Sequence, residues 1–159
     1  MVDIELNLQF QTPHPELTEP LLYQWVRTTV HEIAAIYQEA NQAVPFQKIA
    51  LTLRFCDETE GRALNQQFRH KDYATNVLTF EYGIDATGTL SSDIIICIPV
   101  LIQEAKEQKK PFLHHAAHLC IHGVLHALGY DHLDDEEAEE MESLEIDILH
   151  TMDIPNPYH

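Results

Sequence analysis

Three histidines late in the chain have the spacing of a metal site. His122 and His126 lie four residues apart in HLCIHGVLHALG, so on an α-helix both imidazoles share one face, about one turn apart. Gly129 can adopt the left-handed conformation that ends a helix and reverses the chain, which would bring His132 back toward the other two rings. The full pattern HGVLHALGYDH therefore predicts that three imidazoles bind one metal ion.

Zinc is the metal that this ligand set favours, although iron, nickel and copper also bind imidazoles. A structural zinc site is usually closed by a fourth protein ligand, whereas three ligands leave one tetrahedral position for water or a substrate. The predicted site is therefore catalytic, and the predicted cofactor is one zinc ion held by His122, His126 and His132.

The histidine spacing also matches the metzincin protease signature HExxHxxGxxH, except that Gly123 replaces the glutamate. That glutamate is the general base of the proteases, and the loss of such a group typically lowers the rate by about two to four powers of ten. The glycine therefore disfavours peptide hydrolysis. We expect the small residue at this position to open space beside the metal, which a bulky substrate group such as a phosphate could occupy.

A second set of candidate residues lies upstream, in FRHKDYATNVLTF. Arg69 offers a planar guanidinium that matches phosphate oxygens, and Lys71 offers a mobile ammonium. If the two faced the metal, they would form a cationic clamp for a phosphate. The alternative is a solvated loop with scattered charges, and the spacing alone does not decide between them.

Further side chains are candidates for supporting roles. His115 and His118 fall on the same helical stripe as the predicted ligands, where packing or hydrogen bonding is the simpler role. The alternative for both is contact with a substrate, for which His118 is the candidate, or orientation of a metal ligand. The candidates to carry a proton in place of the missing glutamate are Asp72, His118 and Asp131.

The apolar periodicity predicts the strands and helices that carry these residues. Alternating apolar residues predict strands, and apolar residues at helical spacing predict helices. The predicted strands are 2–10, 49–55, 76–82 and 93–98, and the predicted helices are 17–39, 57–69, 99–109, 111–128 and 134–152. A loop containing Gly83 and Gly88 should join the last two strands. The first half is therefore α/β, and the second half is helical.

Composition limits the remaining possibilities. The 159 residues suit one domain, 1–159, and the formal net charge of −17 lowers the expectation of nucleic-acid binding. All basic residues lie between Arg27 and Lys110, so a local cationic groove stays open as an alternative. A late acidic cluster is interpreted as a solvated helix face rather than a docking surface; it comprises Asp134, Asp135, Glu136, Glu137, Glu139, Glu140, Glu142 and Glu145.

The same survey predicts a cytoplasmic protein with no membrane contact. No apolar run is long enough to cross a bilayer, and the N-terminal residues lack the layout of a secretory signal. The three cysteines show no CxxC spacing, so we expect buried, reduced thiols.

The two motifs HGVLHALGYDH and FRHKDYATNVLTF, with the acidic DDEEAEEMESLE, resemble the YbeY family of bacterial endoribonucleases, and the likeness covers most of the chain. The resemblance implies an α/β (α+β) fold with a mixed, roughly four-stranded central sheet, about five helices and a metzincin-like histidine helix and turn. It also implies a zinc ion on His122, His126 and His132, and a functional arginine at Arg69.

The resemblance further implies a metal-dependent endoribonuclease that cuts single-stranded RNA in 16S rRNA 3′-end maturation and ribosome quality control. The implied partners are the small ribosomal subunit and basic ribosomal proteins. The chain departs from the family at Ala74, where proline is usual, and at Ser91 and Ser92, where leucine and glycine are usual in an expected turn.

Several alternatives stay open from the sequence. The metal would polarise a phosphodiester oxygen or activate a water, and either that water or the ribose 2′-hydroxyl could attack the phosphorus. Arg69 would neutralise the phosphate as charge builds. The competing functions are a metzincin-like metalloprotease and a non-catalytic ribosome-assembly factor with a structural metal. The oligomeric state is open.

Overall fold

The computed structural model describes residues 2–159, in which four strands and five helices follow one another along the chain. The strands are β1 (Asp3–Phe10), β2 (Lys48–Cys56), β3 (Val77–Ile84) and β4 (Thr89–Cys97). The helices are α1 (Glu19–Glu39), α2 (Glu58–Arg69), α3 (Ile98–Glu107), α4 (Phe112–Ala127) and α5 (Asp135–Thr151). The predicted α/β class, with four strands and five helices, is confirmed.

The four strands form one mixed sheet in the order β1-β2-β4-β3. β1 is parallel to β2, and β2 is parallel to β4. Parallel neighbours need long connections. Helix α1 connects the first pair, and α2 together with β3 connects the second. β3 lies at the edge and is antiparallel to β4, to which a short hairpin joins it. The sheet is therefore mixed, as predicted.

The two faces of the sheet carry cores of different size. On the larger side, Leu53 and Ile94 belong to a cluster that includes buried residues of α1, α4 and α5. On the other side, Leu78, Ile95 and Cys97 form a small cluster that packs against Leu64 of α2. Helix α4 therefore lies on the well-covered face of the sheet.

Helix α4 is the central helix of the molecule. Ten of its 16 residues are buried, and it contacts α1, α3, α5, β3 and β4. A helix that is apolar on nearly all sides is stable only inside a core, which agrees with this position. Any side chain that α4 carries to the surface is consequently held on a rigid support.

The predicted bounds of the hairpin strands β3 and β4 are wrong. β4 begins at Thr89 rather than at residue 93, and Gly83 lies inside β3, next to a shift in the pairing register. Ser91 and Ser92, expected in a turn, lie within β4. The Ser92 hydroxyl is buried and donates to the Phe80 carbonyl at 2.9 Å. Pairing with neighbouring strands therefore extends β4 through polar residues that an apolar pattern misses.

The start of α2 follows its local signal. The Asp57 carboxylate accepts a hydrogen bond from the backbone N–H of Glu60 at 2.9 Å, as a helix N-cap should. The Glu60 side chain does not return to the cap; it forms a two-pronged ion pair with Arg54, at 2.8 and 2.7 Å. That pair joins the first turn of α2 to β2.

Two predictions from composition are tested by the structure. Cys56, Cys97 and Cys120 are free and buried, which confirms the prediction of buried reduced thiols. Within residues 2–159, no helix combines the length and apolar character that crossing a bilayer requires.

Candidate metal centre and adjacent cleft

Helix α4 presents His122 and His126 on one face, one turn apart. Their Nε2 atoms lie 3.1 Å apart, and their ring centroids are 4.6 Å apart. The two side chains keep 22% and 18% of their surface exposed, whereas most of the helix is buried. Both rings therefore keep part of their surface in contact with solvent on a helix that is mostly buried.

The turn after α4 returns the chain toward the same point. Gly129 has φ +103° and donates its N–H to the His126 carbonyl, while Tyr130 donates to Leu125; both distances are 3.0 Å. This pair of bonds is a Schellman motif, in which the left-handed residue reverses the chain direction. The ring of His132 then lies 5.0 Å from that of His126, between centroids. The predicted role of Gly129 is confirmed.

The three histidines fit a metal ion. One ligand nitrogen from each of His122, His126 and His132 lies within 4.8 Å of the others. Two nitrogens bound to one tetrahedral zinc at about 2.0–2.1 Å are about 3.3 Å apart, close to the separation of the two Nε2 atoms on α4. Burial and the neighbouring imidazoles lower the pKa of His126 to about 4, so the ring is neutral at neutral pH. Neutral imidazole is the form that binds metals.

Glu145 of α5 forms a hydrogen bond with Nδ1 of His122. One oxygen of the fully buried Glu145 carboxylate lies 2.6 Å from Nδ1 of His122. Burial alone would raise the pKa of Glu145, but hydrogen bonds from His118 and His122 lower it to about 2, so the carboxylate is ionised and accepts the Nδ1 proton. The lone pair on Nε2 is thereby directed at the metal position, as in many metal sites.

His118 belongs to the same network. Its Nε2 lies 3.4 Å from Glu145 and 3.2 Å from the hydroxyl of Tyr158, and 12% of its side chain is exposed. The Tyr158 hydroxyl also bonds to the second oxygen of Glu145. These contacts favour the hydrogen-bonding interpretation of His118 over contact with a substrate.

Sequence reasoning missed Glu145 because it grouped this residue with a solvated acidic face. Its carboxylate is instead fully buried. A signal was present: Met141, Glu145, Ile148 and Leu149 fall at i, i+4, i+7 and i+8, which is the apolar stripe of α5. A lone carboxylate on such a stripe indicates a buried partner. Tyr158 lies outside any helix or strand and carried no comparable signal.

Gly123 does not open space beside the metal, so that prediction is wrong. A Cβ atom at this position would lie 2.8 Å from Cγ2 of Ile94 and 3.4 Å from Cγ2 of Val77. The residue therefore faces the sheet, and it is a glycine because α4 approaches β3 and β4 too closely for a side chain. A glutamate at this position would point into the core.

A polar cleft of about 410 Å³ borders the histidines. Among its lining residues, Glu104 accepts a hydrogen bond from Asn76 at 3.2 Å and lies 2.9 Å from Nε2 of the buried His115. Lys110 also lines the cleft, and its ammonium donates to the Pro157 carbonyl at 3.4 Å. The remaining lining residues are Val77, Gln108, His118, Leu119, His122 and Tyr158. The cleft thus places polar groups next to a predicted ligand.

Arg69 and Lys71 are not among the residues that line this cleft. Both side chains are exposed at the end of α2 and in the loop that follows. Their loop leads directly into Asn76, which does line it. Within residues 2–159, no hydrogen bond or ion pair engages either side chain, so both cations are accessible to an anionic ligand.

The acidic candidates for proton transfer differ in their surroundings. Asp72 accepts two hydrogen bonds from the Arg62 guanidinium, at 2.7 and 2.8 Å. These hydrogen bonds lower the pKa of Asp72. A carboxylate engaged in this way is a poor proton carrier. Asp131 is about half exposed, with one oxygen 4.0 Å from Nδ1 of His126. Asp131 therefore lies beside the histidines, whereas Asp72 joins the loop after α2 to Arg62 of that helix.

The chain is similar to known proteins of one family. A family model described as Endoribonuclease YbeY matches residues 8–153. The Endoribonuclease YbeY of Bordetella avium is 49% identical over 155 residues, covering 98% of this chain and 93% of that protein. The one from Burkholderia lata is 55% identical over 134 residues, covering 84% of this chain and 77% of that protein.

The fold has a counterpart among solved structures. The solution structure of TM1509 from Thermotoga maritima superimposes with a TM-score of 0.56 and 24% identity, covering 94% of this chain and 91% of that one. This likeness concerns the fold alone, whereas the family match and the sequence relatives concern ancestry. The chain therefore belongs to the YbeY family of endoribonucleases.

Proposed function

We propose that this chain is a metal-dependent endoribonuclease that cuts single-stranded RNA and holds one zinc ion through His122, His126 and His132. Its proposed setting is the cytoplasm, in 16S rRNA 3′-end maturation and ribosome quality control, with the small ribosomal subunit and basic ribosomal proteins as partners. The observation that carries the proposal is the convergence of three imidazole nitrogens within 4.8 Å, in a chain of this family.

Each part of the site has a defined task in this proposal. When bound, the ion would supply Lewis acidity at a phosphodiester oxygen. Glu145 fixes His122 by accepting its Nδ1 proton. Arg69 and Lys71 bind and neutralise the phosphate from their exposed loop, since guanidinium and ammonium groups match phosphate oxygens. Asp131 is the proposed proton carrier, because it is the exposed carboxylate beside His126.

The nucleophile is the open step of the proposal. Attack by water would cut a strand whose ribose lacks the 2′-hydroxyl, whereas attack by the 2′-hydroxyl would require that group at the cleavage site. A single-stranded RNA with one 2′-deoxy nucleotide at the cleaved position separates the two. Loss of cleavage only at that position favours the 2′-hydroxyl.

Two substitutions test the proposal. His126→Ala should remove both zinc and cleavage of a fluorescent single-stranded RNA, because two ligands hold the ion poorly. Arg69→Glu should retain zinc and lose turnover by about 100-fold, because it replaces a phosphate-binding cation by an anion. Zinc content is measured by elemental analysis, and turnover is measured on the same preparations.

Matched controls exclude contaminating nuclease and simple charge effects. His150→Ala changes an exposed histidine of α5, and Arg27→Glu makes the same charge change on exposed α1. Both should cut RNA at the parental rate. Parental turnover by His126→Ala would contradict the metal mechanism, and parental turnover by Arg69→Glu would remove the phosphate clamp.

The alternative to a catalytic metal is a purely structural one, and metal removal distinguishes the two. Chelation of a structural ion would collapse the fold, whereas chelation of a catalytic ion abolishes cleavage and leaves the fold standing. Melting temperature and cleavage are therefore followed together during zinc removal. We expect cleavage to be lost while circular dichroism at 20 °C is retained, since the large buried core includes none of the three histidines. A peptide-library assay with and without chelator tests the protease alternative.

A further inference from the structure

The C-terminal residues 153–159 return to the histidines after α5 ends. Asp153 adopts φ +60°, which turns the chain, and Ile154 packs against the core. Asn156 then forms a turn in which its side-chain oxygen accepts the N–H of Tyr158 at 2.8 Å. The Lys110 ammonium donates to the Pro157 carbonyl at 3.4 Å. These contacts place Tyr158 at the edge of α4.

Tyr158 meets two members of the histidine network at once. Its hydroxyl bonds to Glu145 on the carboxylate oxygen opposite the one that holds His122. Its ring also lies edge-on to His118, with the ring centroids 5.3 Å apart. Burial and the bond to Glu145 raise the pKa of Tyr158, so the hydroxyl keeps its proton and donates it.

The Tyr158 hydroxyl is one of the few hydrogen-bond partners of Glu145, whose carboxylate has no contact with solvent. The residue is fully buried, and its carboxylate is held by His118, His122 and Tyr158 alone among the described residues. A buried carboxylate that loses one of its hydrogen bonds rotates or draws in water to replace it. Either response would shift the acceptor that fixes the His122 ring.

We propose that Tyr158 is a positioning residue of the metal site: its hydroxyl fixes the Glu145 carboxylate, and Glu145 in turn orients His122 toward the ion. The proposal rests on the metal site of the proposed function, and it makes residues 153–159 part of that site. It predicts that Tyr158 sets metal affinity without touching the metal.

The test is the zinc affinity of Tyr158→Phe, a change that removes the hydroxyl and keeps the ring. We expect zinc to bind about 10-fold more weakly, the lower end of the range for removal of an outer partner of a metal ligand. Affinity is measured at 20 °C by competition with a chromophoric chelator. Tyr23→Phe, which alters an exposed tyrosine on α1, is the matched control and should bind zinc as the parent does.

A double-substitution cycle shows whether Tyr158 acts through Glu145. Glu145→Gln should weaken zinc binding on its own, and adding Tyr158→Phe to it should cause no further loss. Additive losses would overturn the proposal. A purely structural role for Tyr158 would lower the melting temperature and leave the affinity of the folded protein unchanged.

The imidazole ¹⁵N spectrum of the metal-free protein gives a second readout. The parent should show His122 in the Nδ1–H form, and Tyr158→Phe should show a mixture of the two neutral forms. If Tyr158→Phe does not fold, Asn156→Ala replaces it, because it removes the turn bond that aims Tyr158. We expect a smaller loss of zinc affinity in that variant.

The outcomes separate this proposal from the proposed function. Parental zinc affinity in a folded Tyr158→Phe protein, together with zinc binding and RNA cleavage by the parent, overturns the positioning role alone. Weakened zinc binding without RNA cleavage by the parent supports the positioning role and contradicts the nuclease. A parent protein that binds no zinc contradicts both.

Discussion

At the scale of single residues, burial decides what a side chain does. Glu139, Glu140 and Glu145 all lie on α5, yet the first two are exposed and the third is fully buried against His122. The exposed glutamates are solvated, as predicted, and contribute little to stability. The buried one holds a predicted metal ligand. The same residue type therefore has unrelated roles within two helical turns.

Gly123 is a second residue whose role depends on its surroundings. We expect Gly123→Ala to lower the free energy of unfolding by about 1–3 kcal/mol, because the new Cβ atom overlaps a packed core. The overlap is with Cγ2 of Ile94 at 2.8 Å. This loss should appear even though alanine favours a helix over glycine by about 1 kcal/mol. Chemical denaturation of the metal-free protein measures it.

Gly61→Ala is the matched control for that substitution. The position is also helical, and its added Cβ would meet Sγ of Cys97 at 3.3 Å, a milder contact. The gain in helix propensity should offset the contact, so the variant should be close to the parent in stability. A Gly123→Ala protein as stable as the parent would refute the explanation by close helix–sheet packing.

At the scale of elements, the site depends on two helices and the turn between them. Helix α4 carries His122 and His126, the Gly129 turn returns His132, and α5 carries Glu145. Helix α5 is acidic and largely exposed in its first turns, so its start is held by a cap rather than by packing. Its N-terminus is consequently a weak point of the site.

We predict that Asp134→Ala lowers the free energy of unfolding by about 1 kcal/mol, the usual effect of losing a helix N-cap. The carboxylate of Asp134 accepts the backbone N–H of Glu137 at 2.8 Å. The neighbouring Asp135→Ala removes a first-turn negative charge without removing a cap, so its effect should be smaller. Equal effects of the two substitutions would indicate that charge, and not the cap bond, stabilises this end of α5.

At the scale of the whole molecule, the charge distribution limits how RNA can bind. The net charge of −17 repels a phosphate backbone. Three of the nine basic residues, namely Lys48, Arg54 and Arg62, are already paired with carboxylates. RNA would therefore contact the protein through few phosphates, and affinity would depend on the metal and the cleft more than on charge.

A small number of phosphate contacts predicts a weak salt dependence of RNA binding. Each phosphate contact on a single strand contributes about −0.7 to the slope of log K against log salt, so contacts from Arg69 and Lys71 give a slope of about −1.4. Anisotropy of a labelled single-stranded RNA, shown by electrophoresis to be intact after each reading, measures it in zinc-loaded protein. Arg69→Glu should flatten the slope, while Arg27→Glu should not. A slope steeper than about −4 would reveal a wider basic surface.

Features that depend on neighbours along the chain could be predicted from the amino-acid order alone. The α/β class, the order of strands and helices and the Asp57 cap follow from local periodicity and local hydrogen bonds. The convergence of His122, His126 and His132 also follows, because all three lie on one helix and the turn that ends it. Eleven residues of chain, HGVLHALGYDH, are enough to fix that geometry.

Features that depend on residues distant in the chain could be recognised only once the elements were packed together. Glu145 and Tyr158 join the histidines because α5 and the C-terminal residues pack against α4. Gly123 faces the sheet because of how closely α4 approaches β4, and Ser92 belongs to a strand because its neighbours pair with it. These contacts arise from packing between elements, which periodicity along one element does not encode.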